Sequence, residues 1–128
     1  MKLTEEQWRE RLSAEEFRVC RQKGTERPFS GELLDKHALG DYRCTCCGET
    51  LFSSEAKFDS GCGWPSFSAH SEDDNVEFHG DNSHGMHRVE IVCKHCDAHL
   101  GHVFDDGPTP SGKRYCVNSV SLKFTGKG

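Results

Sequence analysis

The stretch His87-Arg-Val-Glu-Ile-Val-Cys-Lys-His-Cys96 decides the fold. Its first seven residues alternate, with Val89 and Ile91 on one face and Arg88 and Glu90 on the other, the period of a half-buried β-strand. Its last four close a Cys-x-x-Cys turn. The same grammar occurs upstream, where Tyr42-Arg43-Cys44 reads as a strand entering Cys44-Thr-Cys-Cys47-Gly48. Zinc takes about four tetrahedral soft ligands, and each turn offers two thiolates from one rigid knuckle, so two turns complete a shell. Four thiolates leave no open position for a substrate. The expectation is one structural zinc ion held by Cys44, Cys47, Cys93 and Cys96; the alternative is a redox-active dithiol in one or both pairs. Cys46 adjoins Cys47 without the two-residue spacer and reads as a bystander. His95 lies inside the second turn, where four sulfurs already suffice.

Working outward, Tyr115 to Phe124 alternates over its whole length. Cys116, Asn118, Val120, Leu122 and Phe124 point one way, and Tyr115, Val117, Ser119, Ser121 and Lys123 the other, which predicts one amphipathic strand. Two such strands joined by glycine-rich connectors, with no βαβ rhythm, predict a mainly β, mostly antiparallel chain. Two short helices precede it. Thr4 with Gln7, and Ser13 with Glu16, have the spacing of capping boxes, Trp8 and Leu12 share a face, as do Phe17 and Cys20, and Gly24 ends the second helix. Pro28 to Asp41 has no period and reads as a wrapping loop with a turn near Leu33-Leu34. Ser60-Gly-Cys-Gly-Trp-Pro-Ser66 is too rich in glycine and proline for a regular element and reads as a shaped loop. Gly126 to Gly128 reads as a frayed tail.

A chain of 128 residues is expected to be one domain, burying roughly 65 to 70 per cent of its unfolded surface. Only 34% of it is hydrophobic and its mean hydropathy is −0.74, so the core is modest and a metal staple would add stability. The net charge of −5, with no basic stripe, argues against a nucleic-acid partner. No run approaches a membrane span and no signal-peptide pattern appears, so the expected compartment is the cytoplasm, where thiols persist.

Four cysteines remain. Cys20 and Cys46 read as buried or idle thiols. Cys116 follows Lys113-Arg114-Tyr115, whose cations favour a thiolate, and it shares a face with Asn118; both a nucleophile and a buried small hydrophobe fit. Cys62 lies between Gly61 and Gly63, flanks that suit a travelling thiol and equally relieve crowding. His99-Leu-Gly-His102 supplies two imidazoles that a strict strand would send to opposite faces, so a turn at Gly101 is needed for both to reach one pocket. Trp64, held by Pro65, reads as either a pocket wall or a core ring.

Taken in order, Lys23-Gly-Thr-Glu-Arg-Pro-Phe-Ser-Gly31, the first knuckle, Phe58-Asp-Ser-Gly-Cys-Gly-Trp-Pro-Ser-Phe67, His84-Gly-Met-His-Arg88, Ala98-His-Leu-Gly-His-Val-Phe-Asp-Asp-Gly-Pro108 and Arg114-Tyr-Cys-Val-Asn-Ser119 closely resemble the peptide-methionine (R)-S-oxide reductases, the MsrB family. The resemblance runs from about Ala14 to Phe124. It implies a β-tent of two small antiparallel sheets with amino-terminal helices. It implies Cys116 as nucleophile, Cys62 as resolving cysteine, His99, His102 and Asn118 at the catalytic centre, Trp64 and Phe67 against the substrate, and the same four zinc ligands. The implied cycle reduces methionine-R-sulfoxide, free or in proteins, and is completed by a thioredoxin-like dithiol, in a monomer. His102 is expected to deliver the proton and His99 to shape the oxygen pocket. Cys20 lies in the region from which some relatives recruit another resolving cysteine. Two other classes compete: a zinc-ribbon binding module, which leaves Trp64, His102 and Cys116 without a role, and a disulfide oxidoreductase using a Cys-x-x-Cys pair.

Overall fold

The computed structural model describes residues 3–31, 33–34, 38–58, 61–71, 74–81, 88–107 and 112–126. The expectations placed on Asp59, Ser60, His84 to His87 and Pro108 lie outside the described residues.

Two helices open the chain, α1 at Glu5–Arg11 and α2 at Ala14–Cys20, and each starts with the reciprocal capping box its sequence predicts. The Thr4 hydroxyl accepts from the Gln7 amide at 3.2 Å while the Gln7 side chain accepts from the Thr4 amide at 2.8 Å. Such caps satisfy amides that the first turn leaves without partners. Trp8, Phe17, Val19 and Cys20 turn inward. Arg21, just beyond α2, packs its guanidinium 4.6 Å above the Trp8 ring and donates to the Cys96 carbonyl at 2.9 Å, tying the helices to the second knuckle.

Among the described residues nine strands follow: β1 Gly40–Cys44, β2 Thr50–Ser53, β3 Lys57–Phe58, β4 Ser66–Phe67, β5 Val76–Asp81, β6 Arg88–Cys93, β7 His99–Phe104, β8 Arg114–Val117 and β9 Leu122–Gly126. They form two antiparallel sheets, β2-β1-β9 and β3-β4-β8-β7-β6-β5. The chain is thus mainly β with short amino-terminal helices, as expected. Aromatic rings join the sheets: Tyr42 of β1 meets Phe67 of β4 edge-on with centroids 5.1 Å apart, and Phe52 of β2 stacks on Phe67 at 4.4 Å.

Four local expectations need correction. Tyr115 to Phe124 is not one strand. The chain leaves the large sheet after Val117, makes a 3-10 turn over Ser119–Ser121, and enters the small sheet as β9. The break occurs because Asn118 leaves the ladder pattern: its amide and its Nδ2 both donate to the Leu100 carbonyl, at 2.9 and 3.0 Å, and its Oδ1 accepts from the Glu26 amide at 3.0 Å. Side-chain bonds to backbone groups of this kind offer the chain an alternative to sheet pairing. Ser66 belongs to a short strand rather than to the preceding loop, because it pairs with both Phe58 and Cys116. Gly126 is paired with Gly40 at the end of β9 and is no frayed tail. On β6 the faces are as predicted but their environments are not: Glu90 is buried, along with Ile91, Val92 and Cys93, whereas Val89 is exposed.

Candidate active site and metal centre

Each Cys-x-x-Cys turn is closed by the same backbone bond. The Gly48 amide donates to the Cys44 carbonyl at 2.9 Å and the Asp97 amide to the Cys93 carbonyl at 2.8 Å. The closing residue has a left-handed backbone in both, with φ of 85° at Gly48 and 63° at Asp97, a conformation that glycine and aspartate tolerate best. The four sulfurs all lie within 4.8 Å of one another, with Cys44 to Cys96 at 3.6 Å and Cys47 to Cys93 at 3.5 Å. A tetrahedron with metal–sulfur bonds of ~2.3 Å has edges of ~3.8 Å, so the donor set fits one ion. Because Cys44 ends β1 while Cys93 and Cys96 join β6 to β7, an ion here fastens one sheet to the other. Cys46 stands beside Cys20, whose sulfur lies 3.6 Å from the Ser121 hydroxyl. Cys20 is thus buried behind the knuckle, and it does not line the pocket described next.

Across the large sheet, one row of residues is in register: Glu90 on β6, His102 on β7, Cys116 on β8 and Ser66 on β4. Directly opposed residues on neighbouring strands share a face. Cys62 approaches this row from the loop before β4, and its sulfur stands 3.2 Å from that of Cys116 and 3.3 Å from the Ser66 hydroxyl. Gly61 and Gly63 flank it with φ of 76° and 95°. A side chain at Gly63 would run into Pro28 and Phe29 as well, so this tight bend requires glycine. Arg114 points Nη1 at the Cys116 sulfur from 2.7 Å, and its other nitrogens form a two-bond fork with Asp106 at 2.7 and 3.0 Å. Asp106 holds Arg114 firmly charged. The Cys116 thiol is nevertheless pushed up from 9.0 to about 12, first by burial and then by Cys62, with Arg114 pulling the other way. Burial and Cys62 thus favour the protonated thiol of Cys116, while the Arg114 guanidinium beside it favours the thiolate.

The sequence required a turn at Gly101 to bring both histidines to one side. A bulge does this instead. On β6, Ile91 pairs with Gly101 but its neighbour Val92 pairs with His99, so β7 carries one extra residue at Leu100. Such an insertion rotates the residues beyond it. The rings of His99 and His102 end 5.7 Å apart, edge to face. Gly101 has a different duty: any Cβ there would collide with the Cys116 carbonyl. His99 Nδ1 meets Glu90 Oε2 at 2.7 Å, and His102 Nε2 meets Asp81 Oδ2 at 2.7 Å. Burial draws the proton affinity of His99 downward while Glu90 opposes it.

Cys62, Trp64, His99, His102, Arg114, Cys116 and Asn118 surround one pocket of about 240 Å³. The half-buried Trp64 donates its indole N–H to the Glu26 carbonyl at 3.0 Å, and Glu26 is also the residue whose amide binds Asn118. The Glu26 carboxylate accepts from the Val120 amide at 3.1 Å, so one buried residue braces two pocket walls. Phe67 is the exception among the expected site residues. It is 0% exposed, stacked on Phe52 in the core, and does not line the pocket; its neighbour Ser66 faces the thiols instead. Sequence reasoning assigned no role to Glu26, Asp81, Glu90 or Asp106. Only Glu90 carried a signal, as a carboxylate in an apolar strand.

Residues 12–126 match the family described as the SelR domain. The chain is 57% identical over 125 residues to the peptide methionine sulfoxide reductase MsrB of Alteromonas mediterranea, covering 98% of this chain and 88% of that one. It is 58% identical over 124 residues to the protein of that name from Hahella chejuensis, covering 97% and 89%. It is 59% identical over 121 residues to the one from Acinetobacter baylyi, covering 94% and 87%. Among the described residues, no helix is long and apolar enough to cross a membrane.

Proposed function

The chain belongs to the SelR-domain family of MsrB peptide methionine sulfoxide reductases, and on that premise we propose that it reduces methionine-R-sulfoxide, free or within proteins, through a Cys116 sulfenic acid and a Cys62–Cys116 disulfide. The observation that carries this reading is the pair of thiol sulfurs 3.2 Å apart on the wall of a pocket that also holds two imidazoles. Two thiols supply the two electrons that the reaction consumes.

Cys116 attacks the sulfoxide sulfur, forming a sulfur–sulfur bond that breaks again as the oxygen passes to Cys116. The substrate's sulfur–oxygen bond breaks, a sulfur–oxygen bond forms on Cys116, and the thiol hydrogen ends on that oxygen. Methionine leaves with two electrons gained, and Cys116 remains as sulfenic acid. The imidazole pair carries the hydrogen, with His102, directly across the ladder from Cys116, delivering it while His99 hydrogen-bonds the oxygen and Asn118 supports the pocket. Arg114 steadies negative charge on sulfur as it forms. Trp64 packs on the S-methyl group, so the pocket reads configuration by shape. Cys62 then condenses with the sulfenic acid, releasing water. A thioredoxin-like dithiol opens the disulfide by exchange, itself becoming a disulfide.

The metal is assigned as zinc, the usual ion of four-thiolate sites formed by paired Cys-x-x-Cys turns. With Cys44, Cys47, Cys93 and Cys96 bound it offers no open position, and its contribution is to hold the two knuckles together. Residues 1–128 are taken as one domain with its core at about 14–124, acting as a cytoplasmic monomer in a compartment that preserves eight cysteines, with no nucleic-acid partner given its acidic balance. The test offers the purified protein, with dithiothreitol, the R- and S-sulfoxides of a blocked methionine. Depletion of R alone is expected. Depletion of neither, by folded zinc-loaded protein, would leave a zinc-binding module as the better reading.

A further inference from the structure

Both pocket imidazoles are backed by a carboxylate, but the pairs differ in burial. The side chains of His102 and Asp81 are 15% and 20% exposed, whereas those of His99 and Glu90 are each 5% exposed. A carboxylate taken out of water is costly unless it is closely paired. Glu90 is buried at a strand position followed by the buried residues Ile91, Val92 and Cys93, so its presence calls for a partner that uses it. The β7 bulge supplies that partner. Glu90 is in register with His102, yet its close bond runs to His99, which the bulge turns toward it.

Resting on the reductase reading above, we propose that Glu90 is a positioning residue that fixes His99 with its Nδ1–H toward the carboxylate, leaving Nε2 available to the reacting oxygen, and that its charge steadies the proton on the imidazole pair during transfer from Cys116. A neutral imidazole has one N–H, and the partner of one nitrogen decides which nitrogen carries it. With Nδ1 engaged, Nε2 is the atom left for the pocket that the ring lines. The titratable groups that line the spaces beside this ring are Glu90, Asp81, Lys23, His102 and Arg88 on one side, and Cys62, Cys116 and Arg114, again with His102 and Arg88, on the other. Lys23 stands 3.4 Å from the other Glu90 oxygen, with its own side chain 72% exposed, so it screens the carboxylate only in part. Burial keeps His99 uncharged at rest, and Glu90 makes a transient positive charge tolerable.

The test is E90Q, which retains an acceptor for the Nδ1–H and loses the charge, in zinc-loaded protein whose circular dichroism matches the parent. In a reductant-free single turnover, methionine formation is expected to slow ~10- to 100-fold, the scale seen when the hydrogen-bond partners behind metal-ligating histidines are lost, with substrate affinity unchanged. The NMR titration midpoint of His99 is expected to fall, and E90Q/H99N should be no slower than H99N. E90D, with a carboxylate one methylene shorter, should recover part of the rate and carries the test if E90Q does not fold. A wild-type rate and an unmoved His99 titration in E90Q, or full additivity with H99N, would overturn the proposal. Absence of turnover in the parent protein would instead overturn the reductase reading beneath it.

Discussion

The sulfur of Cys62 stands 3.2 Å from the sulfur of Cys116, although 54 residues separate them in the chain. A disulfide bond of ~2.05 Å is therefore about 1 Å of motion away, and the left-handed glycines on either side of Cys62 are where the loop can supply it. C62S is expected to release one methionine per protein as the parent does, and to lose cycling driven by a thioredoxin-like dithiol. Turnover assays with that reductant, beside a single-turnover count, check this. Undiminished cycling would mean that another thiol resolves the sulfenic acid; Cys20 is poorly placed, being buried behind the first knuckle.

The resting state of Cys116 predicts a pH dependence. Its thiol titrates at about 12, so alkylation by iodoacetamide should be slow at neutral pH and rise about tenfold per pH unit while the thiolate remains the minor form. R114Q removes the cation that pulls this pKa down, so alkylation should slow further, by roughly tenfold for each unit gained. The sign for stability is opposite in sense to that of a paired carboxylate. The folded protein holds this proton more tightly than the unfolded chain, so the contribution is complete below pH 9 and is lost as pH climbs toward 12.

Removal of one metal ligand should remove the metal and the fold together. The cluster joins β1 to the β6–β7 turn, and apparent binding energies of structural zinc reach on the order of 10 kcal/mol, comparable with the whole stability of a small domain. C44S should contain no zinc by elemental analysis and show no cooperative thermal transition. A folded, active, metal-free C44S would refute a structural role.

The indole N–H of Trp64 and the ring of Phe67 separate function from packing. W64F keeps a ring but loses the bond to the Glu26 carbonyl, worth about 0.5–1.5 kcal/mol, so kcat/KM should fall roughly two- to tenfold. F67L disturbs the stack with Phe52 and should lower unfolding free energy by about 1–2 kcal/mol while leaving KM unchanged. Urea denaturation and steady-state kinetics on both variants check the division; a raised KM in F67L would return Phe67 to the site.

The features legible in the sequence are those that depend on residues close together in the chain. The capping boxes at Thr4 and Ser13, the two knuckles and the strand character of Arg88 to Cys93 all follow from local spacing. What the sequence hides depends on distant partners. Alternation carried a single strand through Asn118, because nothing local reveals that Leu100 and Glu26 will take its amide groups. The histidines three apart needed one extra residue on β7, a bulge that only the pairing with β6 reveals. Phe67 belongs to the block that contains Trp64, yet strand β4 turns it inward and gives Ser66 to the thiols. The local sequence of Cys116 and Cys62 leaves each open between a reactive and a packing role, and their adjacency is visible only in three dimensions.

The central claim is that Cys116 takes the sulfoxide oxygen and Cys62 closes on it, and a single turnover without reductant tests it most directly. Zinc-loaded protein is mixed with excess methionine-R-sulfoxide, the methionine formed is counted, and the product is digested for disulfide mapping under non-reducing conditions. One methionine per chain and a bond joining Cys62 to Cys116, with C116S inert, is the predicted result. No methionine from folded protein, or one methionine accompanied by a disulfide between any other pair, would contradict it.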